Sequence, residues 1–184
     1  MFCHQREHDG CRPSECEARI RALDPVSFLT LTDRRVSSRE RVRDWRFGTV
    51  GRRLKRFLGL FRKRFGKFKY VWVREVHKSG FPHVHIALST PIPCSVTEMR
   101  QDKNGRWTYT GVACPCLAQL LSEWWRACGG GWSCRWERVR GEGAGVAHYL
   151  ASYLDGQEAL PESVQALIAV NKLRDWSASK GLRP

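Results

Sequence analysis

Two histidines separated by one residue, His83 and His85, are the strongest candidates for chemistry in this 184-residue chain. They follow Pro82 in a run of strand-forming residues, and a second such run, Tyr70 to Val76, lies just upstream. The turn-forming residues at 78–80 separate the two runs, which is typical of a β-hairpin. Because residues two apart on a strand project from the same face, the two imidazoles can converge on one cation.

Glu75, on the partner strand of this hairpin, could add a carboxylate to the two imidazoles. Two nitrogens and one carboxylate oxygen hold a divalent metal and leave coordination positions open, which distinguishes a catalytic site from a closed structural one. Such an ion would act as a Lewis acid. The alternative is that His83 and His85 are two polar residues on the outward face of an ordinary strand.

A pair of tyrosines forms the second candidate. Tyr149 and Tyr153 are four residues apart in a predicted short helix, Val146 to Leu154, which follows the glycine-rich segment 141–145. On a helix this spacing places both side chains on one face, with Cβ atoms about 5 to 6 Å apart, so both hydroxyls could approach one point. The alternative is that the pair belongs to the packed face of an amphipathic helix.

The charge predicts a polyphosphate partner: 32 Lys and Arg oppose 18 Asp and Glu, giving a net charge of +14. The segment from Arg34 to Lys69 alone has 15 basic and two acidic residues, and within it Ser38 to Phe65 has helical periodicity with one apolar face. The alternative is a solubilising helix face. The residues predicted to contact DNA are Arg52, Arg53, Lys55, Arg56, Arg62, Lys63 and Arg64.

The chain has eight cysteines, and their spacing matches no standard zinc finger. No apolar run approaches the length of a membrane span, and the first residues do not resemble a signal peptide. We therefore expect a cytoplasmic protein without membrane contact, in which a disulfide framework is disfavoured. The candidate ligands for a structural Zn²⁺ are Cys11, Cys16, Cys114 and Cys116. The alternative is unligated thiols and a partly disordered N-terminus; Cys128 and Cys134 are expected to be ordinary buried thiols.

The remaining periodicities complete one predicted domain, residues 25–184, preceded by a Cys/His-rich appendage at 1–24. An insert at about 94–116 has the composition of a small hairpin with its turn at 102–105. The other predicted elements are a central strand at Val26–Thr32, a helix containing Leu117 to Trp125, a strand at Trp132–Val139, and an apolar-faced helix at Glu162–Trp176 before a polar, basic tail. The aromatic residues between Trp124 and Val139 are expected in the core rather than in base stacking.

Three motifs occur in a particular order: the strand LTLT, then E-x-x-K-S-G-x-P-H-V-H, then Y-x-x-x-Y. This order resembles the HUH endonucleases, and more narrowly the two-tyrosine rolling-circle replication initiators of small phages, plasmids and related transposable elements. The resemblance covers about Ser27 to Leu154. It implies an α+β, ferredoxin- or RRM-like fold, with a central antiparallel sheet of four or five strands, helices on one face, and the active site on the sheet surface.

The resemblance also implies residue roles: His83 and His85 as ligands of a catalytic Mg²⁺ or Mn²⁺, Glu75 as the third ligand, and Tyr149 and Tyr153 as nucleophiles. Relatives commonly carry a lysine within or just after the tyrosine motif. Here Ser152 and Asp155 occupy those positions, so the candidate helper cation is Lys78 or an arginine of the basic helix.

The expected activity is metal-dependent, sequence-specific nicking and joining of single-stranded DNA through a 5′-phosphotyrosine, which initiates rolling-circle replication. The expected partners are single-stranded DNA at an origin hairpin and host replication proteins, in the cytoplasm of a cell that carries a phage, plasmid or mobile element. Two alternatives stay open: a single-strand DNA transposase with the same chemistry, and a non-catalytic, zinc-stabilised nucleic-acid-binding module.

Overall fold

The computed structural model of the protein describes residues 13–33, 40–76, 82–90, 92, 99–101, 107–109, 115–139, 144–155, 162, 165–166 and 175–182. For residues 40–47, 76, 99–101, 107–109, 115–116 and 155 it describes the backbone only. In chain order the elements are α1 (Pro13–Leu23), β1 (Ser27–Thr32), α2 (Glu40–Phe65), β2 (Tyr70–Val76), β3 (Pro82–Leu88), β4 (Met99–Gln101), β5 (Trp107–Tyr109), α3 (Pro115–Ala127), β6 (Ser133–Arg138), α4 (Ala144–Asp155) and β7 (Trp176–Ala178).

Five of these strands form one open sheet in the order β6-β1-β3-β2-β7, and every neighbouring pair is antiparallel. The predicted hairpin is β2 and β3, and the predicted central strand is β1, which lies next to β3. β4 and β5 pair separately, as expected for the inserted hairpin. The predicted α+β class with a central antiparallel sheet is therefore confirmed; the turns predicted at 78–80 and 102–105 lie outside the described residues.

Alternation along the central strands buries residues on both sides of the sheet. Leu29, Leu31 and Ile86 pack on one side, whereas Phe28 and Ala87 pack on the other. The first side carries α2 and α3 and is called here the α2/α3 face; the second carries α1 and α4 and is called the α1/α4 face. The expectation that the helices lie on one face was wrong, because a sheet with apolar residues on both sides needs cover on both.

The core on the α2/α3 face is rich in aromatic residues. Phe57 and Phe61 of α2, at the predicted helical spacing, are fully buried and contact each other. Trp125 of α3 meets Phe57 edge-on. Cys128 and Cys134 are free and buried in this region, as predicted. Trp132 differs from the other aromatics here: it is 57% exposed, so the expectation that it belongs to the core was wrong.

The core on the α1/α4 face includes residues that were assigned to an N-terminal appendage. Cys16 and Ile20 of α1 are fully buried against a cluster that contains Ala147 and Leu150 of α4. The boundary at residue 24 was therefore wrong for residues 13–23, because the apolar side of α1 covers part of the sheet. Residues 1–12 lie outside the described part of the chain.

The C-terminal segment corrects another expectation. Trp176 was predicted to end a helix, but it begins β7, which pairs with β2 at Val73. Residues 162, 165 and 166 are helical, in agreement with the start of that prediction. β7 forms because its backbone pairs with that of β2 at this edge of the sheet. A buried ion pair holds β7 in place: Arg74 Nη2 lies 2.5 Å from Asp175 Oδ1, and both residues are at most 3% exposed.

None of the helices in the described part of the chain combines the length and apolar character that crossing a bilayer requires.

Candidate active site

The pairing of β2 with β3 brings Glu75, His83 and His85 together. Glu75 lies directly opposite His83 in the register, and all three side chains project from the α1/α4 face. One potential ligand atom from each residue lies within 4.8 Å of the others. His85 Nε2 and Glu75 Oε2 are 2.7 Å apart. The structure thus assembles the three residues that the sequence proposed as metal ligands.

The donor set fits a divalent cation. Ligand atoms that each lie about 2.1 Å from one ion are at most about 4.2 Å apart, so the spacing of this cluster is close to what one bound ion requires. Two imidazole nitrogens and a carboxylate oxygen suit Mn²⁺ and, less strongly, Mg²⁺. Among the residues that the structure describes, this is the one group of three such side chains with this spacing.

The expected zinc ligand Cys16 does not belong to such a group. Its side chain is fully buried in the apolar core under α1, and this burial raises the pKa of its thiol to about 12. Zinc binds the thiolate, so this environment opposes a role as ligand. Cys11 and Cys114 lie outside the described residues, and only the backbone of Cys116 is described.

His85 is held from both sides of its ring. Its Nδ1 lies 3.1 Å from Thr30 Oγ1, which belongs to β1 and is directly opposite His85 in the register. This contact turns Nε2 towards Glu75 and away from β1. Thr30 was not among the predicted site residues, although it lies in the LTLT strand that formed the first motif.

The tyrosine pair lies over the same cluster. The rings of Tyr153 and His85 are parallel within 1°, with centroids 4.7 Å apart. The hydroxyl of Tyr153 donates a short hydrogen bond to the hydroxyl of Tyr149. Phe28 stacks on His85 and meets Tyr149 edge-on, so it supports both. The helix that carries the tyrosines therefore brings both hydroxyls together beside the three candidate ligands.

The two tyrosines have different environments. Tyr149 is 48% exposed, whereas Tyr153 is partly buried against His85. Burial raises the pKa of Tyr153 well above its ordinary value, and the hydrogen bond to Tyr149 and the charge of Glu75 act in the same direction. The tyrosine nearer to solvent is therefore Tyr149.

The basic helix α2 lies on the opposite side of the sheet from this cluster. Six of the seven residues predicted to contact DNA are exposed there: Arg52, Lys55, Arg56, Arg62, Lys63 and Arg64. Arg53 is the exception, because it is only 3% exposed and its Nη1 lies 2.6 Å from Asp33 Oδ1. A surface contact with phosphate does not fit this burial, so that prediction was wrong for Arg53. Lys78 lies outside the described residues.

A family model described as Replication-associated protein ORF2 matches residues 26–158. This match covers most of the chain, and the chain belongs to that family, a rolling-circle replication (Rep) family. The family agrees with the resemblance drawn from the three motifs. Neither the curated proteins nor the solved structures contain a match. The protein is therefore replication-associated, and its class suggests a nuclease that acts on DNA.

Proposed function

We propose that the protein nicks and rejoins single-stranded DNA at a replication origin, in a metal-dependent reaction that passes through a 5′-phosphotyrosine. The observation that carries this proposal is the contact between the hydroxyls of Tyr149 and Tyr153 beside Glu75, His83 and His85. The two candidate nucleophiles on α4 lie over the same face of the sheet from which the three candidate metal ligands project. The predictions of an origin hairpin and of host replication proteins as partners belong to this proposal.

The reaction balances as a transesterification. A tyrosine oxygen attacks the scissile phosphorus, a P–O bond forms to tyrosine, and the bond to the 3′-oxygen breaks. The phenol loses its proton to solvent, and the departing 3′-oxygen takes one up. A bound divalent metal would withdraw charge from the phosphate and so make the phosphorus more electrophilic. Because the phosphotyrosine conserves the phosphodiester energy, attack by a 3′-hydroxyl can reseal the strand without ATP.

The side chains of this chain have separate tasks in that reaction. Glu75, His83 and His85 would hold the ion, and a strand-borne site keeps their geometry fixed. Thr30 would accept a hydrogen bond from His85 Nδ1–H, which leaves Nε2 as the ligand atom. With Tyr149 and Tyr153 on one helix face, a second transfer needs no movement of the sheet.

The proposal is tested with a single-stranded library, because the origin sequence is unknown. The oligonucleotides have a label at the 3′ end and a randomised core of about 20 bases, which exceeds the roughly 4 to 16 nucleotides that a single-strand-binding domain covers. They are incubated with Mn²⁺, Mg²⁺ or EDTA and then separated on a denaturing gel. We expect a labelled protein adduct with either metal and none in EDTA, with half-maximal yield at a lower Mn²⁺ than Mg²⁺ concentration. Sequencing the trapped DNA would identify the preferred site.

Two pairs of variants test the assigned residues. Tyr149→Phe/Tyr153→Phe and His83→Ala/His85→Ala should each abolish the adduct. The matched controls are Tyr70→Phe, at the far end of β2, and His148→Ala, an exposed histidine on α4; both should react like wild type. An adduct that persists in EDTA, or in either double variant, would reject the site. Binding without any adduct would favour the non-catalytic nucleic-acid-binding module.

A further inference from the structure

We infer that single-stranded DNA leaves the metal cluster across β1 and β6 and stacks a base on Trp132 at the sheet edge. This inference rests on the proposed function and extends it by assigning the DNA-binding surface. Its occupant is single-stranded because the bases of a duplex are already stacked and cannot also stack on a protein ring.

The strand register shows where that surface begins. Glu75, His83, Thr32 and Ser133 lie directly opposite one another in four neighbouring strands. With strands about 4.8 Å apart, Ser133 is about 10 Å from His83. In the next row on this face, His85 lies opposite Thr30, which lies opposite Arg135. We call Thr30, Thr32, Ser133 and Arg135 the β1/β6 shelf.

Thr30 and Thr32 of the β1/β6 shelf are half-buried and its two outer residues are exposed, whereas the other half of the same face is covered by helices. On this side α1 packs over β2 and β7, and α4 packs over β2. Ser133 and Arg135 are exposed, and the Arg135 side chain, although paired with Glu137, remains 73% accessible. Hydroxyls and a guanidinium beside the metal cluster suit a phosphodiester backbone.

Trp132 immediately precedes Ser133 at the β6 edge of the sheet. Its ring contacts Arg126 of α3, on the α2/α3 side of that edge, so a DNA strand that follows the shelf reaches the ring by turning round the edge. Trp132 is the most exposed of the large hydrophobic side chains that the structure describes. The guanidinium carbon of Arg126 lies 3.9 Å from the centroid of its ring system. One ring face is therefore covered by a cation, and the other can take a base; aromatic rings with an adjacent arginine are a common means of binding single strands.

The loop before Trp132 is held in place, so the ring is presented in a defined position. Gly129 has a φ of 88° and its N–H donates to Arg126 O at 2.8 Å, which ends α3. Gly130 approaches the neighbouring Trp125 so closely that an added Cβ would lie 2.2 Å from the indole. Gly129 and Gly130 thus allow the tight turn and the close packing on buried Trp125 that precede exposed Trp132.

The same loop joins the shelf to the basic helix on the other face. Arg53 Nη1 donates to Gly129 O at 3.3 Å. Arg56 lies near enough to Cys128 to oppose, in part, the rise in that thiol's pKa that burial causes. Arg126 and Arg56 therefore place positive charge on both sides of this loop, between the β6 edge and the middle of α2. This arrangement reconciles a basic helix on one face with a metal cluster on the other.

The experiment compares two polymers of equal charge in EDTA, so that no cleavage occurs. Binding of oligo-dT and of an abasic strand of the same length is measured by fluorescence anisotropy for wild type, Trp132→Leu and Trp132→Phe. We expect Trp132→Leu to lose about 10-fold in affinity for oligo-dT and little for the abasic strand. Trp132→Phe should retain most of the affinity for oligo-dT, since the phenyl ring can still stack.

Leu60→Ala supplies the matched control, because Leu60 is an exposed apolar residue in the C-terminal half of α2; it should bind both polymers like wild type. Equal affinities of Trp132→Leu and wild type for oligo-dT would overturn the inference, and so would an equal loss for both polymers. If wild type forms the adduct but Trp132→Leu does not weaken oligo-dT binding more than abasic binding, only the inferred DNA path over the shelf is rejected. If Trp132→Leu selectively weakens oligo-dT binding but wild type forms no adduct, the proposed chemistry is rejected and the inferred DNA path stands.

Discussion

The two faces of the sheet are formed by the same strands, but they bury different kinds of side chain. On the α2/α3 face, Phe57, Phe61 and Trp125 are fully buried in a cluster dominated by aromatic and aliphatic side chains. On the α1/α4 face, His85 is 3% exposed and lies beside Glu75. A buried polar group destabilises a fold unless it has partners, and His85 meets this condition through contacts at both ring nitrogens.

This difference assigns stability mainly to one face and chemistry to the other. The α2/α3 face buries large aromatic side chains. The buried ion pair between Arg53 and Asp33 fixes the residue that follows β1 rather than a ligand. On the α1/α4 face, the buried side of the helix that carries the tyrosines includes two small residues, Ala147 and Ala151. A perturbation of equal size should therefore have unequal consequences on the two faces.

Leucine truncations on the two faces should produce the largest effects. Leu121 of α3 and Leu150 of α4 are both fully buried, and each change to alanine should cost about 2 to 5 kcal/mol of unfolding free energy. Only Leu150→Ala should also reduce adduct formation by the folded protein, by about 100-fold, because it displaces the tyrosine helix. Urea unfolding and single-turnover adduct rates measure the two effects.

The comparison fails if Leu121→Ala slows the reaction of folded protein as much as Leu150→Ala does. Rates are compared at a temperature where both variants are folded by circular dichroism. A difference in stability between the two variants does not affect this comparison, since each adduct rate is expressed per folded molecule.

Removal of the Thr30 hydroxyl should have the next largest effect. Thr30→Val keeps the shape of the side chain and should weaken Mn²⁺ binding by about 10- to 100-fold, as loss of a partner to a ligating imidazole typically does. Thr30→Ser restores the hydroxyl and should recover most of the affinity. Mn²⁺ titration followed by electron paramagnetic resonance, without DNA, checks this result; equal affinity of the valine variant and wild type would contradict it.

Much of the site followed from residue order because it depends on local geometry. The alternation of His83 and His85 and the spacing of Tyr149 and Tyr153 each place two side chains on one face of a single element. In the folded protein each pair still shares that face. The register of a short hairpin then places Glu75 opposite His83. These features needed no knowledge of distant contacts.

The features that sequence reasoning missed depend on contacts between distant segments. The apolar side chain of Trp176 suits a helix or a strand, and it is the pairing of its segment with the edge of β2 that makes it a strand. Arg53 resembles its exposed neighbours in sequence, but an ion pair with Asp33, which lies in a different element, removes it from the surface. Trp132 was expected in the core because aromatic side chains are usually buried there. Its neighbours in sequence do not show whether another segment packs over its ring.

Two triplets of basic residues on α2 should differ in their effect on DNA binding. Arg56 lies near the loop that follows α3, and Arg52 and Lys55 are within about one turn of Arg56 on α2. Residues 62–64 lie about 13 Å further along the helix. Replacing the first triplet with glutamine should lower the salt slope of oligo-dT binding by about 2. The same change at residues 62–64 should alter it less, although both variants lose three charges.

Anisotropy titrations at several NaCl concentrations give the two slopes. Equal slopes for the two variants would mean that α2 attracts DNA only through its total charge. Metal affinity serves as the control, and it should match wild type in both, because neither triplet contacts the cluster on the other face.

The smallest expected effect separates the two tyrosines. Tyr149 should make the first cut, because it is 48% exposed while Tyr153 is stacked on His85 and partly buried. The helix dipole adds little to this preference: α4 begins at Ala144, so Tyr149 lies beyond the first turn, and the effect there is below about 0.3 kcal/mol. Adduct yields of Tyr149→Phe and Tyr153→Phe on one oligonucleotide decide the order. A greater loss in Tyr149→Phe supports it, a greater loss in Tyr153→Phe reverses it, and equal yields would mean that the two hydroxyls, already in contact, substitute for each other.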